Sequence, residues 1–347
     1  TPPFSGPTAF VAQDEDQIAD AERAHANDTL AYIAFGTLPA GEVTRILEGV
    51  IARPGVPYTI QMEVETALGG QLVIEETVPT GLTATNFTGP GTPSFAAGVL
   101  SWTVDLAPSS GTVVLTYDIT PTAGPDRLFF SGSVTDTASG VSGLPITGLD
   151  EVLLALASPP GVFDWHGDIG IPPLGADGGN PSLPGSTTVA GSAYTVSGAG
   201  GDVWGNVDRC QLVAREMSGS YVMDAFVSWV DAGPNVWSKA GAMVRAYGVS
   251  DSPQDFAGIR NPTNTVGEDV VHQWRENLGG ASAWGGTAGV FASPVKVRLV
   301  KLGNTFTSYY DTGGGNWVLY DTHTNPGIDP AADTLACLFV TSHSDDS

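Results

Sequence analysis

Zinc-dependent chemistry needs two or three histidine, cysteine or carboxylate ligands that converge on one ion. The five histidines of this chain are widely separated and form no HExxH pattern. A histidine that stands alone in a sequence is more typical of a turn or a surface than of a metal site. The spacing therefore predicts no zinc centre at His25, His166, His272, His323 or His343.

Hydrolysis by paired acids or by an activated serine is also disfavoured. A glycosidase needs two facing carboxylates, and no ExDxxE or ExDxE strand occurs. Asp224 and Asp231 would lie on opposite faces of a regular strand. The acids of the segment VGEDVVHQWREN also lack the spacing, and no GxSxG nucleophile turn is present. The sequence predicts that the chain is not an enzyme.

Exposed aromatic rings beside planar polar groups can bind sugars, and one region combines both. Trp274 is flanked by Gln273 and Arg275, and Trp284 follows in the glycine-rich segment GGASAWGGTAG. Apolar rings with a few polar groups are typical of small-ligand sites. We therefore predict a carbohydrate-binding site at Gln273, Trp274, Arg275 and Trp284. The alternative is that these aromatic rings fill the core.

Two aspartate-rich turns offer oxygen ligands of the kind that Ca²⁺ prefers. FDWHGDIG contains Asp164 and Asp168, and PLGADGGNP contains Asp177. Neither segment matches an EF-hand, so the prediction is a single calcium ion that ties loops to a sheet. The alternative is that these carboxylates cap turns by accepting bonds from backbone N–H groups.

The two cysteines, Cys210 and Cys337, lie in the apolar runs RCQLVARE and LACLFVTS. No CxxC motif exists, so neither a zinc ribbon nor a thioredoxin-type pair is indicated. Either they are two buried free thiols, or they form a disulfide across neighbouring strands, as an exported protein would permit.

Thirteen basic and 37 acidic residues give the chain a formal charge of −24. So negative a surface repels phosphate backbones, which excludes nucleic acid as a partner. It favours solubility and the binding of divalent cations. No apolar run reaches the roughly 18 residues of a membrane span, so no membrane insertion is predicted.

Composition indicates many short strands. Forty-five glycines and 25 prolines accompany 41% apolar residues and eight tryptophans. A disordered chain would lack such apolar content, whereas strands joined by glycine and proline turns require it. The predicted fold class is all-β, with tandem β-sandwiches.

Residues 39–158 resemble the immunoglobulin-like repeat domain of bacterial surface proteins. The resemblance rests on ETVPTGLTATN followed by LSWTVDLAPSSGTVVLTYDITP. It implies a spacer without an active site, and Tyr58, Trp102 and Tyr117 are the predicted core aromatics. The segment DEVLLALA near its end fits either a strand or a short helix.

Residues 159–347 resemble a concanavalin-A-like family of lectin and glucanase sandwiches known as "regulation of enolase". The ordered motifs are GDIG, YTVSGAGGDVWG, WSKAGAMVR, VRLVKLGNTFTSYYDTGGGNWVLY and LFVTSHSD. The resemblance implies an extracellular jelly roll with no catalytic residues to transfer. It places Asp168 first among the calcium candidates, because GDIG belongs to the family motif.

Residues 1–38 contain two short strand-like runs, and EDQIADAERAHANDTLAYIAF resembles the closing hairpin of an H-type-lectin-like domain. Members of the concanavalin-A-like family continue into a further strand that is not found here. Two expectations follow: the chain is trimmed from a longer precursor, or residues 1–38 donate a strand to a neighbouring copy.

Taken together, these observations predict a secreted structural or adhesive protein of a bacterial cell surface or extracellular matrix. Self-association into a head-to-tail filament through strand complementation is the predicted partnership. The alternative function is the carbohydrate-binding region of a larger secreted enzyme, with a glycan as partner.

Overall fold

A computed structural model describes residues 40–344, except for positions 48, 109, 124–125, 171–183, 230–234, 262–269, 287–293 and 312. The predicted N-terminal arm, 1–38, lies outside the described residues. The described part contains twenty-seven strands and no helix. The all-β prediction is confirmed. No helix in this part of the chain is long and apolar enough to cross a bilayer.

The first thirteen strands are β1 (Glu42–Leu47), β2 (Ile51–Ala52), β3 (Tyr58–Glu65), β4 (Gly70–Thr77), β5 (Thr85–Thr88), β6 (Thr92–Ala96), β7 (Val99–Leu106), β8 (Val113–Ile119), β9 (Arg127–Phe129), β10 (Ser131–Asp136), β11 (Val141–Pro145), β12 (Thr147–Gly148) and β13 (Glu151–Leu154). They form two five-stranded sheets, in the orders β12-β1-β3-β8-β5 and β11-β10-β4-β7-β6, and a small sheet β2-β13-β9. The segment that fitted either a helix or a strand is therefore strand β13.

The two five-stranded sheets pack face to face around one apolar core. In β3 every second side chain is buried, beginning with Tyr58, because alternate residues of a strand point to the same face. Trp102 and Tyr117 are fully buried in the same core, as predicted. A buried ion pair crosses this core: Arg45 Nε and Nη2 donate to the two Glu76 oxygens at 2.6 and 2.7 Å.

The remaining strands are β14 (Trp165–Ile169), β15 (Ser186–Ala190), β16 (Ala193–Ser197), β17 (Asp202–Trp204), β18 (Val207–Met217), β19 (Tyr221–Val227), β20 (Lys239–Arg245), β21 (Gln254–Arg260), β22 (Val270–Arg275), β23 (Ser282–Gly285), β24 (Val295–Leu302), β25 (Thr305–Asp311), β26 (Val318–Thr324) and β27 (Thr334–Thr341). The main sheet runs β14-β18-β27-β20-β21-β22-β23, with β17 paired to β18. A four-stranded sheet, β19-β24-β25-β26, and the hairpin β15-β16 complete the second half of the chain.

The main sheet is covered on both faces. Val244 packs toward the four-stranded sheet, whereas its neighbour Met243 belongs to a separate apolar cluster on the opposite face. All seven residues of the central strand β21 are buried, which a sheet open to solvent on one face would not allow.

The second apolar cluster joins the two halves of the chain. It contains Val50, Ile51 and Leu153 from β2, β13 and their surroundings, together with Trp165 and Phe256 from the main sheet. Polar contacts reinforce this junction. Trp165 Nε1 donates to the Asp126 carbonyl at 2.9 Å. The predicted boundary between residues 158 and 159 falls between β13 and β14, close to this shared cluster.

Ion pairs also cross the junction. Arg53 Nη1 donates to Asp164 Oδ1 at 3.2 Å, and Arg53 Nη2 donates to Glu216 Oε2 at 3.0 Å. These contacts raise the pKa of Arg53, and the hydrogen bond to Asp164 is the largest cause. The Arg53 side chain is 41% exposed, so the pair orients the two halves more than it stabilises them.

We expect Glu76→Gln to lower the free energy of unfolding by about 3 kcal/mol, because it leaves the buried Arg45 guanidinium without its counter-charge. Urea denaturation followed by circular dichroism measures the change. The matched control is Asp224→Asn, which breaks the bidentate pair with Arg298 at a site where Asp224 is 49% exposed. We expect Asp224→Asn to lower the free energy of unfolding by about 1 kcal/mol or less. Equal losses in both variants would contradict the assignment.

Candidate functional site

Two histidines and three carboxylates meet between the two sheets of the second half of the chain; we call them the histidine–carboxylate cluster. Asp255 lies in β21 and His272 in the adjacent β22. Asp321 and His323 reach across from β26, and Glu276 directly follows β22. The packing of one sheet on another thus collects side chains that are far apart in sequence.

Asp255 bridges the two imidazoles. His272 Nε2 lies 2.6 Å from Asp255 Oδ1, and His323 Nδ1 lies 2.9 Å from Asp255 Oδ2. The other nitrogens also face acids: His323 Nε2 lies 3.0 Å from Glu276 Oε1, and His272 Nδ1 lies 3.4 Å from Asp321 Oδ2. Every ring nitrogen of the cluster therefore faces a carboxylate oxygen.

This arrangement favours the charged imidazolium. Burial alone would lower the pKa of His272, but the charge and hydrogen bond of Asp255 outweigh it and raise the pKa to about 9. Burial also opposes protonation of His323, and Asp255 and Glu276 together raise its pKa. In return, His272 lowers the pKa of Asp321.

Aromatic packing closes the cluster. The Trp274 ring stacks on the His323 ring, with centroids 4.0 Å apart and planes 15° from parallel. Gly285 lies opposite His272 in β23, and a Cβ there would fall 2.1 Å from Asp321 Oδ2. Glycine at this position leaves the room that Asp321 needs to approach His272.

The cluster is suited to holding the two sheets together by charge. His272 Nδ1 is within ion-pair distance of Asp321 but makes no hydrogen bond within the described residues. An imidazolium carries a proton on both ring nitrogens, so it has no lone pair for a metal or for abstraction of a proton. Within the described residues, no group of three histidine, cysteine or acidic side chains is arranged to hold a metal ion.

The predicted sugar-binding residues do not form one surface. Trp274 is half-buried and faces His323, and its cross-strand partner is Ala283. Trp284 is 55% exposed and pairs with Gln273, so it lies on the opposite face of the sheet. Because adjacent residues of a strand alternate in direction, the structure does not bring Trp274 and Trp284 together. Sugar binding by either ring stays a prediction.

Arg275 is not available to a ligand either. It is fully buried, and its guanidinium donates hydrogen bonds to the Asp208 carboxylate from Nη1 at 2.9 Å and from Nη2 at 2.6 Å. Its other donors reach the carbonyls of Gly205, Gly280 and Ser252. A second buried guanidinium, Arg245, donates to the same Asp208 carboxylate at 2.5 Å. Arg275 therefore has a structural role, and its prediction as a sugar ligand is wrong.

The three calcium candidates are not brought together. The Asp164 carboxylate accepts from Arg53 and from the Glu216 N–H. Asp168 accepts from the Gly185 N–H at 2.7 Å, and burial raises its pKa. Asp164 directly precedes β14, and Asp168 lies within it, four positions or about 13 Å further along the extended chain. Asp177 lies outside the described residues. The calcium site stays a prediction.

The two cysteines are buried free thiols, so the disulfide alternative is wrong. Cys337 lies opposite Ala214 in the β18–β27 pair. Cys210 is four residues away from Ala214 along β18, about 13 Å at the rise of a strand, which is far beyond disulfide geometry. Burial raises the pKa of both thiols, to about 12 for Cys337.

Sequence spacing could not have revealed the histidine–carboxylate cluster. His272 and His323 are far apart along the chain, and each has ordinary strand neighbours. One signal was present: in β22 a polar histidine stands where an apolar core residue is expected, between Val270 and Trp274. A buried titratable residue on an inward face requires a partner.

Comparison with known proteins yields no family. No protein-family model matches the sequence, and no curated protein matches it. Seven chains of solved structures match, among them the following three distant similarities. The first is a type I cohesin–dockerin complex from Clostridium thermocellum, with a TM-score of 0.27, 8% identity, and coverage of 33% of this chain and 99% of that one.

The second is a non-cellulosomal cohesin from the archaeon Archaeoglobus fulgidus, with a TM-score of 0.25, 11% identity, and coverage of 34% of this chain and 92% of that one. The third is CaCohA2 from Clostridium acetobutylicum, with a TM-score of 0.25, 12% identity, and coverage of 34% and 92%. Similarity at this level tells nothing about the function of this chain.

We expect the stability of the protein to fall as pH rises through about 9. A histidine whose pKa is raised on folding, as in His272, stabilises the fold fully below its unfolded value near 6.5. That contribution, on the order of 3 kcal/mol, is lost as the folded group deprotonates. Urea denaturation between pH 6 and pH 10 measures it.

The variant His272→Asn should flatten this pH dependence. His166→Asn is the matched control, since no carboxylate of the described residues lies within ion-pair distance of His166. If wild type and His272→Asn lose stability in parallel above pH 8, the cluster does not hold a charged imidazole.

Proposed function

We propose that this chain is a non-catalytic structural module of a secreted protein that acts at a bacterial cell surface or in an extracellular matrix. The observation that carries this proposal is the shared apolar cluster between its two halves. Ile51 and Leu153 from one half pack with Trp165 from the other, so the joint is a core and not a free linker. A load-bearing spacer requires such a joint.

The use of the buried charges also supports a structural role. Asp208 forms ion pairs with two arginines, Glu76 forms one with Arg45, and Asp255 pairs with two histidines. Catalytic groups need an oxygen or nitrogen that is free to meet a substrate. These side chains instead form closed contacts that hold strands and sheets in register.

We further propose that copies of the chain associate through the edge strand β19. This strand ends the four-stranded sheet, and no strand of the described residues pairs with its outer side. Val222 and Phe226 are 55% and 64% exposed on it. This edge strand contains no proline or lysine, and the charge of its one acid, Asp224, is paired with Arg298. It is therefore a template for strand addition and provides an acceptor for a strand from a neighbouring copy.

We expect the purified protein to form ordered polymers as its concentration rises, visible by electron microscopy and sedimentation velocity. The double variant Val222→Lys and Phe226→Lys should remain monomeric, because charged side chains on an edge prevent strand pairing. Leu302→Lys is the matched control, since Leu302 is 69% exposed but lies in β24, which is paired on both sides. A wild-type protein that stays monomeric at millimolar concentration would overturn self-association.

Carbohydrate binding is a second candidate function, favoured by the surface around Trp284. Trp284 is 55% exposed, whereas its cross-strand partner Gln273 is buried. Ser282 donates its N–H to Gly205 at 2.9 Å, which brings the turn beside Trp204 next to β23. Trp204 is 39% exposed. Two exposed aromatic rings on adjoining segments suit a sugar ligand.

If this surface binds sugar, Trp284→Ala should weaken binding at least tenfold on a glycan array and in titration calorimetry, because it removes the exposed ring. Trp237→Ala is the control, since Trp237 is 43% exposed but lies beside Arg260 at a different site. The absence of binding to any glycan by the wild-type protein would exclude this function.

A further inference from the structure

A buried lysine meets a single carboxylate at the end of the main sheet opposite the histidine–carboxylate cluster. Lys239 begins β20 and is 1% exposed, and its Nζ donates to Asp202 Oδ1 in β17. An ammonium group has three N–H donors, and within the described residues Asp202 accepts the only hydrogen bond that it makes. Burial lowers the pKa of Lys239, which Asp202 partly opposes.

Both oxygens of Asp202 have a further polar neighbour. The Val203 N–H donates to Oδ1 at 2.7 Å, and His343 Nε2 lies 3.1 Å from Oδ2. The carboxyl carbon is therefore placed between an amine, a backbone N–H donor on one oxygen, and an imidazole on the other. An acyl transfer needs the same three groups: a nucleophile, an oxyanion donor and a proton donor for the leaving oxygen.

The surrounding contacts fix the tautomer of His343. Asn235 Oδ1 accepts the Trp237 N–H at 2.9 Å, so its amide nitrogen points the other way. That nitrogen donates to the His343 carbonyl at 3.3 Å and faces His343 Nδ1 at 3.1 Å. Because an amide N–H₂ can only donate, Nδ1 is the acceptor and the ring proton lies on Nε2, the nitrogen that is 3.1 Å from Asp202 Oδ2.

From this geometry we propose that Lys239 and Asp202 condense into an intramolecular isopeptide bond between Nζ and Cγ. The ion pair loses one water molecule: an ammonium and a carboxylate become a secondary amide and H₂O, with no change of net charge and no redox partner. Two of the three ammonium protons leave with the water, and one stays on the amide nitrogen.

The condensation needs only groups that these residues supply. One ammonium proton passes to the carboxylate, and the neutral amine attacks Cγ. The Val203 N–H stabilises the negative charge that develops on Oδ1. A second proton passes from the attacking nitrogen to Oδ2, which departs as water. The His343 ring, whose Nε2 lies 3.1 Å from Oδ2, relays this proton in one concerted step, releasing its own Nε2 proton as it receives the one from the attacking nitrogen, so the ring stays neutral. The Oδ1 atom becomes the amide oxygen.

The bond would clamp two strands that are not neighbours in the sheet. β17 pairs with β18, whereas β20 pairs with β21 and β27. The cross-link closes a loop of 37 positions between Asp202 and Lys239. It also removes a buried, under-bonded ammonium from the core. This inference does not depend on the proposed function, although a covalent clamp suits a load-bearing module.

The intact mass of the unmodified, purified protein tests the proposal. We expect the denatured chain to weigh about 18 Da less than its sequence predicts, the mass of one water. Digestion and tandem mass spectrometry should yield a branched peptide that joins Lys239 to Asp202. Full sequence mass in a protein that is folded by circular dichroism overturns the proposal without any variant.

Variants then locate the bond and its proton donor. Lys239→Arg should restore the full mass, and Asp202→Asn should lose ammonia, about 17 Da, because the same amine displaces a different leaving group. His343→Gln should slow the mass loss, so that the uncross-linked form persists after purification and declines with time. Lys296→Arg is the matched control: Lys296 pairs with Asp311 at 3.7 Å but is 43% exposed, and its loss should leave the mass deficit intact. A deficit that vanishes in this control places the bond elsewhere and contradicts the assignment.

Discussion

The burial of Asp208 between Arg245 and Arg275 is the contact on which the main sheet depends. All three side chains are fully buried, and the carboxylate receives hydrogen bonds from both guanidinium groups. Backbone carbonyls, including those of Val249 and Gly205, accept further N–H groups of the two guanidinium groups, whereas Arg245 Nε is buried without a hydrogen-bond partner in the described part of the chain. A half-satisfied set would be more costly than an apolar core. The strands β18, β20 and β22 are therefore held in one register.

This contact reflects a wider constraint: the main sheet is buried on both faces. A sheet with one solvent-exposed face can expose its polar side chains to water, whereas the polar side chains of this sheet must pair with each other. One face of the main sheet packs against the four-stranded sheet. The other face packs against the apolar cluster that contains Leu153 and Trp165. The histidine–carboxylate cluster and the Lys239–Asp202 pair are two further solutions to the same requirement.

Much of the architecture could be predicted from the chain. Alternating apolar residues indicated the strands β3 and β24, and the burial of Tyr58, Trp102 and Tyr117 follows from that pattern. The site was predicted poorly, for a geometrical reason. Trp274 and Trp284 appear close in sequence, yet the alternation of β22 and the register with β23 send them to opposite faces. The disulfide alternative for Cys210 and Cys337 was wrong for a similar reason, because β18 and β27 pair in a register that keeps the two thiols apart.

The sequence by itself determined the all-β class, the strand-rich organisation and the negative charge, because composition and period-two patterning are local properties. Only the tertiary structure decided which charged side chains meet. Asp255 with His323, Asp208 with Arg275, and Lys239 with Asp202 are contacts between strands whose separation along the chain contains no information about their distance in space. Strand order and register, set by how the two faces of the main sheet are covered, bring these groups together.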